Sequence, residues 1–399
     1  MKRLGKISLD LALLSFIPVL SWFCLGIIID RHFINIFTLT YPLQFIYYIL
    51  KSVFSTGANI SKEKDNNKHA VMSGLVVGTF MAALFYGILL FHIDSYIVFM
   101  NMDIAIYKTF AIYSVVQLFI QLIFAFILDK LYYEEKNTLA NRYSLAFNLL
   151  NFIVLIATSL LTKNQVVIVT VTLTSIALFT IYVVVKSWQK FHFRLNLLHC
   201  IRYDSVELFN NIAFFLIFLF GLSNALEFGA EYALALTFIA LITDTQWDTF
   251  DAITVTAQID LSKGRFNYLE HRKHAYLLLG ILFSSTLLMF GCLYWFYDLD
   301  LKITLIYLAF EIINFLIYPL YRIKTCYLQL EWSAMKTTTN KIVASLLRMG
   351  MSFLHTPFCT GIGQIVSSLY QLISVNYLFY KHHTIKADGT VVQVEIVKK

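Results

Sequence analysis

Residues 241–260 read LITDTQWDTFDAITVTAQID, with Asp244, Asp248 and Asp251 at i, i+4 and i+7. On a helix those positions share one face. A stripe of carboxylates can hold a cation or exchange a proton, or it can be satisfied locally by neighbouring Thr side chains and by Gln246. Asp30, Lys51 and Glu311 are further ionisable residues in otherwise apolar surroundings. Amides accompany them: Gln117 and Gln121 at i, i+4, Asn148 and Asn151 at i, i+3, the adjacent Asn210 and Asn211, and Asn314 three residues after Glu311. For amides between apolar helices the ordinary role is interhelical hydrogen bonding. Glu311 is different, because an unpaired carboxylate is costly there, and with Asn314 it forms a candidate cation site.

The surroundings set that cost. Of 399 residues, 59% are hydrophobic and only 14% charged, and mean hydropathy is +0.70. A soluble domain carries roughly 25% charged residues, so this chain lacks the means to cover a solvated surface. Long apolar runs recur throughout, and a bilayer core about 30 Å thick needs roughly 20 such residues per helix. Strict alternation, the mark of a membrane β-barrel, is absent. The expected fold is an all-α membrane protein with twelve spans, at about 8–30, 36–59, 70–93, 104–129, 142–161, 166–187, 205–226, 232–256, 275–297, 302–322, 341–357 and 362–380. An ionisable group at the centre of such a span costs about 2.5–3.5 kcal/mol on insertion scales. The acids above must therefore face protein or water.

Basic residues orient the chain. With the N-terminus inside, 26 of the 31 Lys and Arg fall at inner loops, among them Arg322, Lys324 and Arg348; Arg31, Lys51, Lys108, Lys163 and Lys302 fall elsewhere. Both termini are expected in the cytoplasm and the protein in the cytoplasmic membrane. The net charge of +7 then faces lipid headgroups, and nothing points to nucleic acid. Five cysteines are scattered without a CxxC pair and read as small apolar fillers. No cleavable leader, P-loop, GxSxG, HExxH or dinucleotide fingerprint occurs, so no enzyme is indicated.

Residues 188–203 interrupt the apolar pattern midway. They divide a six-helix lobe at 1–187 from a second at 204–380, with a tail at 381–399 that either forms a short hairpin, for which Asp388-Gly389 is the turn signal, or stays loose. The halves echo each other: STGANISKEKDNNKHA (55–70) parallels TVTAQIDLSKGRFNYLEHRKHA (254–275), and Lys136-Asn-Thr parallels Lys336-Thr-Thr. Repeats six spans apart are parallel, related by a pseudo-twofold along the membrane normal.

Several motifs resemble the multidrug and toxic compound extrusion (MATE) family of the MOP flippase superfamily. They are Ile27-Ile-Ile-Asp30, TYPLQF (40–45), TGANISKEKDN (56–66), NLLNFIVLIATSLL (148–161) and PLYRIKTCYLQ (319–329). Fifteen glycines are few for that family, and the first outer connection is short. The resemblance implies a secondary transporter that exports an amphipathic, cationic compound by rocker-switch alternation, coupled to H+ or Na+, with no other cofactor. Asp30 matches the family's first-helix coupling acid, although Arg31 and His32 next to it also allow an outer-rim ion pair. Because the second and eighth helices face each other in that fold, a Lys51–Asp251 or Lys51–Asp248 gate is expected. Lipids and a small molecule or lipid are the expected partners of a monomeric protein. Lipid-linked saccharide flipping and a non-transporting membrane role are the alternatives.

Overall fold

A computed structural model describes residues 16–393, apart from 65, 66, 68, 101, 135, 188–197, 251, 263 and 298. Helix α1 is Phe16–Ile28. A short 3-10 turn, Arg31–Ile34, leads into α2 (Asn35–Lys51), which passes through a π-helical segment, Ser52–Thr56, into α3 (Gly57–Lys64). Then follow α4 (Ala70–Phe91), α5 (Ile93–Phe99), α6 (Ile104–Tyr133), α7 (Asn137–Leu161), α8 (Gln165–Ser187) and α9 (Leu198–Phe228). The remaining helices are α10 (Ala230–Phe250), α11 (Ala252–Ser262), α12 (Tyr268–Tyr297), α13 (Leu301–Glu331), α14 (Ala334–Ser352) and α15 (Cys359–His382). Strands β1 (His383–Ile385) and β2 (Val391–Gln393) pair antiparallel.

Among the described residues, six helices are long and apolar enough to cross a membrane: α4, α6, α7, α8, α12 and α13. Their outward faces carry Phe80, Leu160, Val185, Leu288 and Leu316, each more than half exposed, as lipid would require. The chain is a multi-pass membrane protein. Its threonines suit that setting, because the hydroxyls of Thr172, Thr180, Thr237 and Thr286 each donate to the carbonyl four residues back. A polar side chain satisfied by its own helix needs no water.

The chain divides into two compact units. One comprises Ile17–Glu227 and the other is built on residues from Phe228 onward. In the first, α6 packs on α2, α4, α5, α7 and α8, and Phe124 stacks on Phe147 of α7. The expected boundary at 188–203 falls largely outside the described residues. The boundary between the units lies at the end of α9, whose Phe218 packs on Tyr41 and Phe45 of α2. In the second unit α13 is the hub, packing on α10, α11, α12, α14 and α15.

One sequence assignment is corrected. Arg348 does not belong to the inner loop before α14. It lies fourteen residues past Ala334 and four from Ser352, about 20 Å along the helix at 1.5 Å per residue. There it meets Gln364 near the start of α15, so it sits toward the end of α14 remote from the hairpin.

The tail folds as its turn signal suggests. Gly389 has φ +86°, and the Asp388 carboxylate accepts from the Thr390 backbone at 2.9 Å. The hairpin clamps the start of α12, with Tyr268 N–H donating to Gly389 O at 3.0 Å and Asn267 Nδ2 to Asp388 O at 2.7 Å.

Candidate functional site

Among the described residues, each unit contains a polar centre in which an acid meets side chains of other helices. In the first, Lys51 closes α2 and the π segment follows at once. The wide π turn carries Ser55 toward α6, where its hydroxyl donates to Asp129 Oδ2 at 2.8 Å. The Lys51 ammonium lies 3.5 Å from the other carboxylate oxygen, Oδ1. Asn59 Nδ2 braces the segment by donating to Ser55 O at 3.0 Å. A π turn inside a helix often marks a functional position. Here it brings a cation and a hydroxyl to one acid. Room for it comes from α4, where a Cβ on Gly74 would collide with the Phe54 carbonyl oxygen. Tyr47 is buried one turn before Lys51, and the buried Tyr86 hydroxyl of α4 has no hydrogen-bond partner.

The expected Lys51–Asp251 or Lys51–Asp248 gate involves side chains outside the described residues. Within its own unit Lys51 has the Asp129 carboxylate, at the end of the predicted span 104–129.

The second centre is built on Glu311 of α13. Trp247 Nε1 of α10 donates to Glu311 Oε2 at 2.8 Å, and Gln364 Nε2 of α15 reaches the same oxygen at 3.4 Å. Arg348 of α14 donates to Gln364 Oε1 at 3.4 Å. Four helices thus converge on one acid, and a single amide lies between the acid and the guanidinium. One turn along α13, Asn314 spends its Nδ2 on the Phe310 carbonyl, and its buried Oδ1 has no partner. Trp247 is fixed by Phe315 and Tyr318, with ring centroids at 4.5 and 5.4 Å. A carboxylate and an orphaned amide oxygen one turn apart are a fitting pair of oxygens for a small hard cation.

The aspartate stripe is only partly visible. Asp244 is half-buried on α10. Its polar neighbours are engaged elsewhere: Thr243 and Thr249 donate to carbonyls four residues back, and Gln246 turns to Ser285 and Met289 of α12 at 3.4 and 3.6 Å. Thr245 Oγ1 is buried without a hydrogen bond.

The other candidates are dispersed. Asp30 is exposed just after α1, its carbonyl accepting from Phe33 N–H. Gln117, Gln121 and Asn148 are half-buried. Asn151 is buried and accepts from the Tyr113 hydroxyl at 2.8 Å, an α6–α7 tie. The Asn210 and Asn211 side chains on α9 lie outside the described residues. Trp247, Arg348, Gln364, Asp129 and Ser55 were not singled out.

No protein-family model and no curated relative matches the sequence. Solved structures do match. An outward-facing multidrug resistance MATE family transporter of the MOP superfamily aligns over 94% of this chain and 95% of its own, with TM-score 0.66 and 14% identity. An inward-facing structure of such a transporter gives TM-score 0.63 at 14% identity, covering 95% and 94%. A MOP superfamily transporter from Pyrococcus furiosus, described as having a binding pocket of reverse polarity that suggests a different function, gives TM-score 0.64 at 14% identity, covering 94% and 95%. The chain has the MATE-like fold.

Proposed function

We propose that this protein is a secondary transporter of twelve spans, in two parallel six-helix repeats, that exports an amphipathic cation by rocker-switch alternation against H+ or Na+. The observation that carries the reading is similarity to MATE transporters along 94% of the chain. The repeats gain support from the two hub helices: α6 and α13 are the fourth predicted spans of their halves, and each packs on most of the described helices of its unit. Glu311 with Asn314 is the coupling site, loading the ion while Trp247 and Gln364 orient the carboxylate. Asp244, with Asp248 and Asp251, supplies negative charge for the substrate, and Asp30 contributes at the rim of the first helix. In this reading both termini face the cytoplasm.

The test is uptake of a fluorescent organic cation into proteoliposomes under an imposed pH or Na+ gradient. Gradient-dependent uptake that falls at least tenfold in Glu311→Gln supports the reading. Uptake indifferent to both gradients rejects it.

A second reading has its own observation. Arg348 lies inside the second unit next to the Glu311 centre, and Lys51 lies in a span of the first. Cations at those depths suit an anionic substrate, such as a lipid-linked saccharide, in the way that reversed pocket polarity is described for the Pyrococcus transporter. Scrambling of a labelled anionic lipid without any gradient would favour it.

A further inference from the structure

Lys324 occupies an unusual place. It is only 5% exposed, on α13 seven residues before that helix ends. Its ammonium donates to Asn376 Oδ1 at 2.5 Å and to the Tyr380 hydroxyl at 3.1 Å, both on α15. An ammonium has three donors, so these two acceptors leave one hydrogen over. Aromatic rings lie beside the ammonium, with the centroids of Tyr380, Phe379 and Tyr268 at 4.3, 5.6 and 5.7 Å. No carboxylate lies within ion-pair distance of Lys324 among the described residues. Rings partly compensate a buried cation but do not neutralise it.

Further basic residues lie nearby. Helices α12 and α15 flank α13, presenting Tyr268 and Tyr380 on either side of Lys324. Arg272 is exposed on the first turns of α12, and its guanidinium and the Tyr276 and Tyr380 hydroxyls lie within electrostatic reach of the Tyr268 hydroxyl. Lys381 is exposed at the end of α15. The acid on this stretch of α12, Glu270, lies two residues from Arg272 and so on the opposite face of the helix.

Depth completes the picture. Helix α12 has 30 residues, about 45 Å at 1.5 Å each, against a hydrocarbon core of about 30 Å. The excess of about 15 Å, with Glu270, Arg272 and Lys273 all in the first turns, fits those turns at headgroup level. Below them the outer surfaces turn apolar, with Leu277 and Ile281 on α12 and Ile373 and Tyr377 on α15 all between 49% and 70% exposed.

We propose that the surface between the start of α12 and the end of α15, with Lys324 beneath it and Arg272 beside it, binds the phosphodiester headgroup of an anionic phospholipid in the leaflet on the hairpin side. The phosphate takes the spare ammonium hydrogen and the guanidinium, the Tyr380 hydroxyl turns to it, and the acyl chains run along Leu277, Ile281, Ile373 and Tyr377. Basic pockets between helices at this depth hold such headgroups. The acyl-facing apolar strip favours a lipid over free phosphate.

The experiment is lipid retention by the full chain, measured by native mass spectrometry from nanodiscs of phosphatidylcholine with a minority of phosphatidylglycerol. The wild type is expected to retain phosphatidylglycerol selectively. Arg272→Gln, an exposed change that leaves the fold intact, should weaken retention roughly fivefold, the equivalent of about 1 kcal/mol per basic residue. Lys324→Met should weaken it further, and Lys324→Arg should restore it. Inorganic phosphate at millimolar concentration should not displace the lipid. Equal retention of both lipids by the wild type overturns the proposal, as does unchanged selectivity in Arg272→Gln. Displacement by inorganic phosphate would make this a free-phosphate site and overturn the lipid assignment.

Discussion

The Trp247–Glu311 hydrogen bond is the clearest quantitative handle on the second unit. Trp247→Phe keeps an aromatic ring against Phe315 and Tyr318 but removes the one N–H that, among the described residues, reaches Glu311 Oε2 within 3 Å. A hydrogen bond to a charged group contributes about 1.5–3 kcal/mol in proteins. Measured interhelical pairs in a membrane bundle average only about 0.6 kcal/mol, reaching about 1.7. The 2.8 Å distance and the ionisable acceptor place this bond toward the top of the membrane range, so a coupling energy of about 1.5 kcal/mol is expected. The smaller ring of Phe adds a packing penalty of its own. For that reason the informative quantity is the double-mutant cycle Trp247→Phe, Glu311→Gln and both together, read by SDS-driven unfolding in mixed micelles. The packing penalty appears in both arms and cancels. Should the two single changes add to within about 0.5 kcal/mol, as independent sites do, the bond contributes nothing and the four-helix centre is only a geometric coincidence.

Other consequences are testable in the same way. Asp129→Asn strips Lys51 of a counter-charge in a partly buried site and should cost about 1–2 kcal/mol, less than the 3–5 of a fully buried pair; Lys51→Met with Asp129→Asn should recover part of it, as measured by thermal unfolding in detergent. Gly74→Ala drives a methyl into the Phe54 carbonyl and should cost about 1–3 kcal/mol. Gly87→Ala on the same helix meets open space and should be neutral or stabilising by up to about 1 kcal/mol. Equal effects of the two would refute the close approach of α4 to the π segment. His383 is buried against Tyr327 and Phe379, and burial pushes its imidazole below the ordinary value despite a ring hydrogen bond to the Phe379 carbonyl. A lowered folded pKa means that the undocked hairpin binds the proton more readily. Docking is then strongest above pH 6.5 and weakens as pH falls below it. Hydrogen exchange at 383–393 should accelerate from pH 7.5 to 5 beyond the intrinsic pH effect, and His383→Phe should remove that excess.

The duplicated loop segments and the TYPLQF and PLYRIKTCYLQ motifs were enough for a MATE-like reading, because hydropathy and loop signatures are local properties. Partner choice was not local. Nothing in the spacing of Lys51 and Ser55 pointed to Asp129, since the π turn at Ser52–Thr56 re-aims Ser55 and the acid sits on a helix distant in the chain. Arg348 read as a loop cation because a positive charge near a span end fits the inner-loop pattern. Only the antiparallel packing of α14 on α15 shows that it lies beside Gln364.

What the sequence determined by itself was the class of solvent and the segments immersed in it, because apolar run length is fixed by residue order. It also determined that acids such as Glu311 had to be compensated, since their cost in hydrocarbon holds in any fold. Which donors compensate them was decided by tertiary structure alone. A hydrogen bond forms over about 3 Å, and whether Trp247 or a threonine one turn away comes that close to a carboxylate depends on how helices far apart in the chain rotate and pack.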